Sequence, residues 1–233
     1  MAFHAVILTL YPDMFPGPLA YALSGRALQK GIWSFEARYL RDFTRDRHCS
    51  VDDRPAGGGP GMVMRADILA RAIDAGPLNC PRFLMSPRGD SFNQSLAREI
   101  SVLKEVLFIC GRFEGVDERI IKARNLIEVS IGDYIVSGGE ISVFVILDSV
   151  VRLLPGVMGN VLSSSDESFE TGLLEYPQYT RPRCFENQAI PEILISGNHR
   201  EVKKWRKEQS ESVTQARRSD LWSLYKRKNY DKH

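Results

Sequence analysis

Short apolar runs alternate with amphipathic stretches through residues 1–158. AVILTL (5–10), RFLMS (82–86), LFIC (107–110) and LIEVSI (126–131) are bounded by turn residues. Their brevity and their β-branched and aromatic content predict buried strands. Between and after them, LAYALSGRALQKG (19–31), RADILARAIDAG (65–76) and ISVFVILDSVVRLLPG (141–156) carry the spacing of helices. Such alternation predicts an α/β fold with βαβ units and a mainly parallel sheet. Two of the runs lead straight into glycine-bearing loops: LFIC into GRFEG, and LIEVSI into GDYIVSGGE. Ligands of open α/β sheets lie at the carboxyl ends of strands, and glycine lets backbone approach them where a Cβ would not. The segment from Leu107 to Glu140 therefore predicts two walls of a small-molecule pocket built largely from main chain.

The pattern changes after residue 158. GNVLSSSDESFETG (159–172) is polar and serine-rich, which predicts a flexible linker or lid. YPQYTRP (176–182) has two prolines and reads as extended. GNHREVKKWRKEQSESVTQARR (197–218) is helical in pattern, with Val202, Trp205 and Val213 on one face. The expected organisation is a pocket-bearing domain over 1–158, a linker over 159–172 and a small helical domain over 173–233.

Composition narrows the class. Of 233 residues, 43% are apolar and 26% charged, as in ordinary globular chains. No run reaches the ~18 apolar residues of a membrane span, and MAFHAVILTLYPDMF lacks the basic start of a signal peptide. Cys49, Cys80, Cys110 and Cys184 are scattered without a CxxC, and the four histidines never fall at metal-ligand spacing. Reduced thiols and a cytoplasmic location are the expectation, with no metal centre. The net charge of +2 is unevenly placed: eleven of the 31 basic but only five of the 29 acidic residues lie from Arg200 onwards. That basic stretch also holds Trp205, Trp222, Tyr225 and Tyr230. Cations among aromatics suit nucleic acid; a solvated helix with core tryptophans reads equally well from charge alone.

Nucleotide fingerprints fail. There is no GxxxxGK[ST] and no GxSxG. DDRPAGGGPGM (52–62) has Gly57, Gly59 and Gly61, but Pro60 intrudes and no strand is predicted before it, so it is a poor Rossmann loop. Seven blocks instead resemble the bacterial tRNA (guanine-N1)-methyltransferases of the TrmD type, in the SPOUT superfamily. They are DDRPAGGGPGMVM (52–64), MSPRG (85–89), FICGRFEGVDER (108–119), SIGDYIVSGGE (130–140), RLLPGVMGN (152–160), SFETGLLEYPQYTRP (168–182) and SGNHREVKKWR (196–206). They run in family order over nearly the whole length.

The resemblance implies a SPOUT-type α/β domain with a deep trefoil knot, a rare departure from chain topology, and a small helical C-terminal domain. It implies S-adenosyl-L-methionine held by Gly111, by Ile131, Gly132, Asp133, Tyr134, Ile135 and Val136, and by Gly138 and Gly139, with Ser86 and Pro87 closing another side. Ile131, Tyr134 and Ile135 would shield the adenine ring. Glu114 and Asp117 would orient the cofactor or a Mg²⁺ ion; as a purely structural alternative they would cap a helix. The implied partners are tRNA, through its anticodon branch, and a second copy of the chain sharing the active site. The implied reaction is methylation of N1 of guanosine 37 when another guanosine precedes it.

N1 of guanine carries a proton at neutral pH, so the reaction needs a general base and a donor or cation for charge spreading onto O6. The resemblance places the catalytic arginine at Arg152 and the base, an aspartate in the family, at Glu167. Glutamate reaches about 1.5 Å further; Asp166, one residue earlier, is the other carboxylate available. Arg152 could equally form an i,i+4 pair with Asp148. A second departure is Gln178, where some family members have histidine. An inactive SPOUT-like RNA-binding protein, or a SPOUT enzyme acting on another RNA, are the alternatives the substituted base leaves open.

Overall fold

The structure is a computed structural model that describes residues 2–159 and 167–229. It separates into two compact units, Met1–Gly159 and Asn160–His233. In chain order the first contains β1 (Phe3–Thr9), α1 (Ala22–Gln29), β2 (Trp33–Tyr39), β3 (Asp52–Asp53), β4 (Val63–Met64), α2 (Ala66–Asp74) and β5 (Arg82–Ser91). There follow α3 (Gln94–Ser101), β6 (Glu105–Ile109), α4 (Glu118–Ala123), β7 (Ile127–Ser130) and α5 (Gly139–Val151). The second contains β8 (Cys184–Phe185), β9 (Gln188–Ala189), α6 (Glu192–Ile195), α7 (His199–Arg217) and α8 (Ser219–Asn229).

Five strands form one sheet in the order β2-β1-β6-β5-β7, and every pairing in it is parallel. Successive residues of a strand face opposite sides, so a sheet covered on both faces needs near-continuous apolar runs. On one face Ala5, Ile7, Phe83, Val106 and Phe108 pack with Ala27 of α1, Ala97 and Ile100 of α3, and Val143, Ile146, Leu147 and Val150 of α5. On the other, Val6, Leu8, Leu84, Leu107 and Ile109 pack with Ile68, Leu69 and Ile73 of α2 and Ile120 and Ile121 of α4.

Several sequence expectations need revision. The edge strand β2 and the helix α3 were not predicted. LAYALSGRALQKG is not one helix: a 3₁₀ turn over Gly17–Ala20 ends at extended Tyr21, and α1 starts at Ala22. The break is packed in place, because a Cβ on Gly25 would fall 2.0 Å from the Ala20 carbonyl oxygen. RFLMS is only the start of β5, which continues to Ser91 with its register against β7 shifting between Met85 and Asp90. No strand directly precedes DDRPAGGGPGM, as expected, but its own first two residues form β3, which pairs antiparallel with β4 across the glycines.

In the second unit, α7 turns Val202, Trp205, Val213 and Thr214 inward, the face expected from sequence. Thr214 is fully buried. Its Oγ1 donates to the Ser210 carbonyl at 2.6 Å and accepts from the Leu174 N–H at 2.8 Å. The Glu175 N–H donates to Ser168 Oγ at 2.9 Å and the Phe169 N–H to the Leu173 carbonyl at 2.8 Å. Residues 168–172 of the expected linker are thus folded back onto 173–175, which Leu174 fastens to α7. The rest of that segment, 160–166 with Asp166, lies outside the described residues.

Candidate active site

The carboxyl ends of β6 and β7 and the bulge of β5 converge on one cavity. The register shift in β5 pushes Ser86, Pro87, Arg88 and Gly89 out of the ladder. Gly89 permits this: a Cβ there would meet the Glu128 carbonyl carbon at 2.3 Å. After Ile109, the loop 110–116 turns at Phe113 and Gly115, both with positive φ. After Ser130, a second loop turns at Gly132 (φ 146°) and feeds α5 at Gly139. The three segments touch where two glycines sit. A Cβ on Gly139 would lie 2.7 Å from Cys110 Cα and 2.9 Å from Met85 Cβ, and one on Gly111 would lie 3.0 Å from the Met85 carbonyl oxygen. The Gly139 N–H donates to the Gly111 carbonyl at 2.9 Å.

The cavity between these walls holds about 360 Å³, within the ~300–1,000 Å³ of small-molecule sites. Its lining includes Ser86, Pro87, Gly111, Ile131, Gly132, Tyr134, Ile135, Val136, Gly138 and Gly139. Asp133 is exposed and outside the lining, because the Tyr134 N–H closes a tight turn onto the Gly132 carbonyl at 2.9 Å. Tyr134 is 57% and Ile135 81% exposed, an unusual place for large apolar side chains beside a cleft. Lining residues that the sequence reading left out include Leu84, Arg88, Arg112, Glu128 and Ser142. Pro87 followed by Gly89 inside a strand pattern is the signal that marks the bulge.

Most charged groups here already have partners. Ser86 Oγ donates to Glu128 Oε1 at 2.8 Å. Arg88 Nη2 reaches Glu118 at 3.0 Å and Glu128 at 3.1 Å, and these carboxylates, Glu118 foremost, raise the arginine's pKa. Arg112 pairs with the fully buried Glu140 at 2.8 Å. Cys110 lies beneath, its thiol pushed well up by burial and then by Glu140, so it is neutral. Asp117 is the N-cap of α4, accepting from the Arg119 N–H at 2.9 Å. The Arg119 guanidinium beside it holds its carboxyl below the usual range, which makes the capping role the one it fills. The Glu114 carboxylate lies against Gly61, where a Cβ would come within 2.3 Å of it. Among the described residues no group of three or more His, Cys, Asp or Glu is gathered to hold a metal ion.

The catalytic pair expected from sequence is divided between the units. Arg152 is the C-cap of α5, its N–H donating to the Asp148 carbonyl at 3.4 Å. Glu167 opens the described part of the second unit, its carbonyl accepting from the Glu170 N–H at 3.3 Å. In that unit the aromatics are partly internal. Trp205 packs against Tyr179 at 6.2 Å between ring centroids, and Trp222 stacks on Tyr225 at 5.7 Å. Lys203, Lys204, Lys207, Lys226, Arg227 and Lys228 are exposed on α7 and α8. Tyr230 lies outside the described residues.

A family model described as tRNA (Guanine-1)-methyltransferase TrmD matches residues 2–224. The chain belongs to that family. Among its relatives, the tRNA (guanine-N(1)-)-methyltransferase of Bartonella henselae is 60% identical over 225 residues, covering 97% of each chain. That of a Chelativorans species is 60% identical over 230 residues, covering 97% of this chain and 98% of its own. A third, from Rhodopseudomonas palustris, is 58% identical over 96% of this chain and 91% of its own. At this identity and coverage both units are family property. No helix among the described residues is long and apolar enough to cross a membrane.

Proposed function

We propose that the chain transfers a methyl group from S-adenosyl-L-methionine to N1 of guanosine 37 in tRNA. The observation that carries the reading is the cavity where β5, β6 and β7 end, walled by the glycine loops of the TrmD-type motifs. The residues fit the cofactor. Gly111 and Gly139 allow three backbone segments to meet at its floor, which suits recognition of an adenosine edge by main-chain groups. Tyr134 and Ile135 offer an apolar rim that a ring would cover. When bound there, the cofactor supplies an electrophilic methyl group on a sulfonium.

The protein's own work is on the base. Glu167 takes the N1 proton, and the Arg152 guanidinium stabilises the charge that then spreads onto O6. A guanine in a stacked anticodon loop must first be extruded, and the cations of α7 and α8 are suited to hold the anticodon branch while it is. The SPOUT trefoil knot is the topology we assign to the first unit, and tRNA binding to the second. We place the enzyme in the cytoplasm, as a homodimer whose site combines one chain's pocket with the partner's Glu167. Half-exposed Ile141 and Val145 on α5 are apolar surface of the kind such an interface covers. A Mg²⁺ ion, which Glu114 would help orient, is kept only as an accessory of this reading.

The test is methyl transfer to a tRNA transcript with guanosines at 36 and 37, followed by nucleoside mass spectrometry. 1-Methylguanosine should form, and a transcript with adenosine at 37 should give none. Cofactor uptake without product would leave an RNA-binding protein; product at another position would give a different substrate.

A further inference from the structure

We infer that Glu140 and Arg112 are positioning residues: their buried ion pair sets the spacing of the two pocket loops, although Glu140 stands outside the pocket. This rests on the proposed methyl-donor site. Glu140 is 0% exposed and absent from the cavity lining. Its Oε1 accepts from Thr9 Oγ1 at 2.6 Å, and its Oε2 lies 2.8 Å from Arg112 Nη2. Arg112 Nη1 donates to the Ser137 carbonyl at 3.0 Å. Its guanidinium also lies 4.4 Å from the centre of the Tyr11 ring. One side chain thus ties the first loop to the second loop, to the first turn of α5 and to the end of β1.

Packing alone does not call for this device. A buried ion pair is often no more stabilising than apolar groups of the same volume. This one has a cost besides, since Arg112 Nε and Glu140 Oε2 are both buried without a hydrogen-bond partner among the described residues, the 2.8 Å contact of Oε2 being ionic only. Apolar side chains could fill the space but could not hold the Ser137 carbonyl. The fit is close: a Cβ on Gly138 would lie 2.2 Å from Arg112 Nε. The loop that carries Tyr134 to Ser137 is therefore registered against Gly111 through an ion pair whose carboxylate stands outside the cavity.

The experiment measures S-adenosylhomocysteine affinity by calorimetry on the full chain. It uses wild type, Glu140→Gln and the double variant Arg112→Met/Glu140→Leu, each with its thermal midpoint. Glu140→Gln should weaken binding by roughly tenfold to a hundredfold, the loss that accompanies displacements near 1 Å. KM for the donor should rise in parallel, while kcat at saturating donor and tRNA affinity without donor stay within about threefold. The double variant should regain most of the lost thermal midpoint yet bind as weakly as Glu140→Gln. Restored affinity in the double variant, or wild-type affinity in Glu140→Gln, would overturn the inference. Absence of uptake by wild type would instead overturn the pocket reading on which it stands.

Discussion

Replacing Gly139 by alanine adds one methyl group where there is no room for it. The new Cβ would lie 2.7 Å from Cys110 Cα, 2.9 Å from the Gly111 nitrogen and 2.9 Å from Met85 Cβ. All three are backbone or the first atom of a buried side chain, so no rotamer relieves the clash. Restoring ordinary separations of about 3.5 Å means moving α5 away from β5 and β6 by ~0.8 Å. Overpacking of this kind costs about 1–3 kcal/mol. Alanine's helical advantage over glycine is at most ~1 kcal/mol in a helix interior and smaller at the first residue of α5, so the clash wins. The same shift separates Gly139 N–H from the Gly111 carbonyl and opens the cavity floor. Affinity for S-adenosylhomocysteine should fall by roughly a hundredfold, and the thermal midpoint should drop with it. Gly31→Ala is the control. It has nothing within 4 Å of the added Cβ but a φ of +67°, so it should cost about 1–2 kcal/mol of stability and leave affinity unchanged. Wild-type affinity in Gly139→Ala would show that the floor is not where the donor binds.

Other changes test other links. Glu167→Gln should lower the methylation rate by about 10²–10⁴-fold with donor affinity intact; an unaltered single-turnover rate would remove it as the base. Thr214→Val leaves the Leu174 N–H without its acceptor and should cost about 1–3 kcal/mol in denaturant unfolding. Asn93→Ala removes the side-chain cap that accepts from the Leu96 N–H at 3.0 Å and should cost about 0.5–2 kcal/mol. The bidentate Arg124 holds the Asp74 carboxyl below its ordinary value of 3.8. Its folded pKa is depressed, so its stabilisation is present above that value and fades as pH falls through the lower folded one. Asp74→Asn should therefore flatten the acid limb of a stability profile below about pH 4, and an unchanged limb would count against the pair.

The sheet was legible because covering both faces imposes continuous apolar runs on β1, β5, β6 and β7. The edge strand β2 was not: it pairs only with β1, and WSFEARY is mostly half-buried, so it lacks both the solid run and the clean alternation. α3 is short, and its signal was local, an asparagine cap ahead of buried Ala97 and Ile100. The glycine loops were legible as pocket walls because a backbone wall needs residues without side chains. The bulge that sends Ser86 to Arg88 into the cavity depends on the register of β5 against β7, which no residue in β5 states alone. The Arg112–Glu140 pair was invisible for a like reason: both fall inside motifs, but pairing across 28 positions follows from how two loops fold back on each other.

The proposed division of labour between the units is consistent with the charges in the pocket. A general base must be ionised and able to reach the substrate proton. Among the acids lining the cavity, Glu128 accepts from Ser86 and Arg88, and Glu114 is confined against the glycine loop at Gly61. Glu140, behind the cavity, is sealed in its ion pair. If the walls grip a cationic donor through main chain, as proposed, they gain nothing from a free carboxylate placed there, where it would be attracted to the sulfonium instead of to a guanine. In the proposed reading, a base at Glu167, in the unit whose exposed lysines suit tRNA, meets the substrate and the need for deprotonation together. On this account the pocket binds donor on its own terms, and reaction waits for the carboxylate that accompanies the RNA. Donor affinity should then be indifferent to Glu167, while the chemical step depends on it.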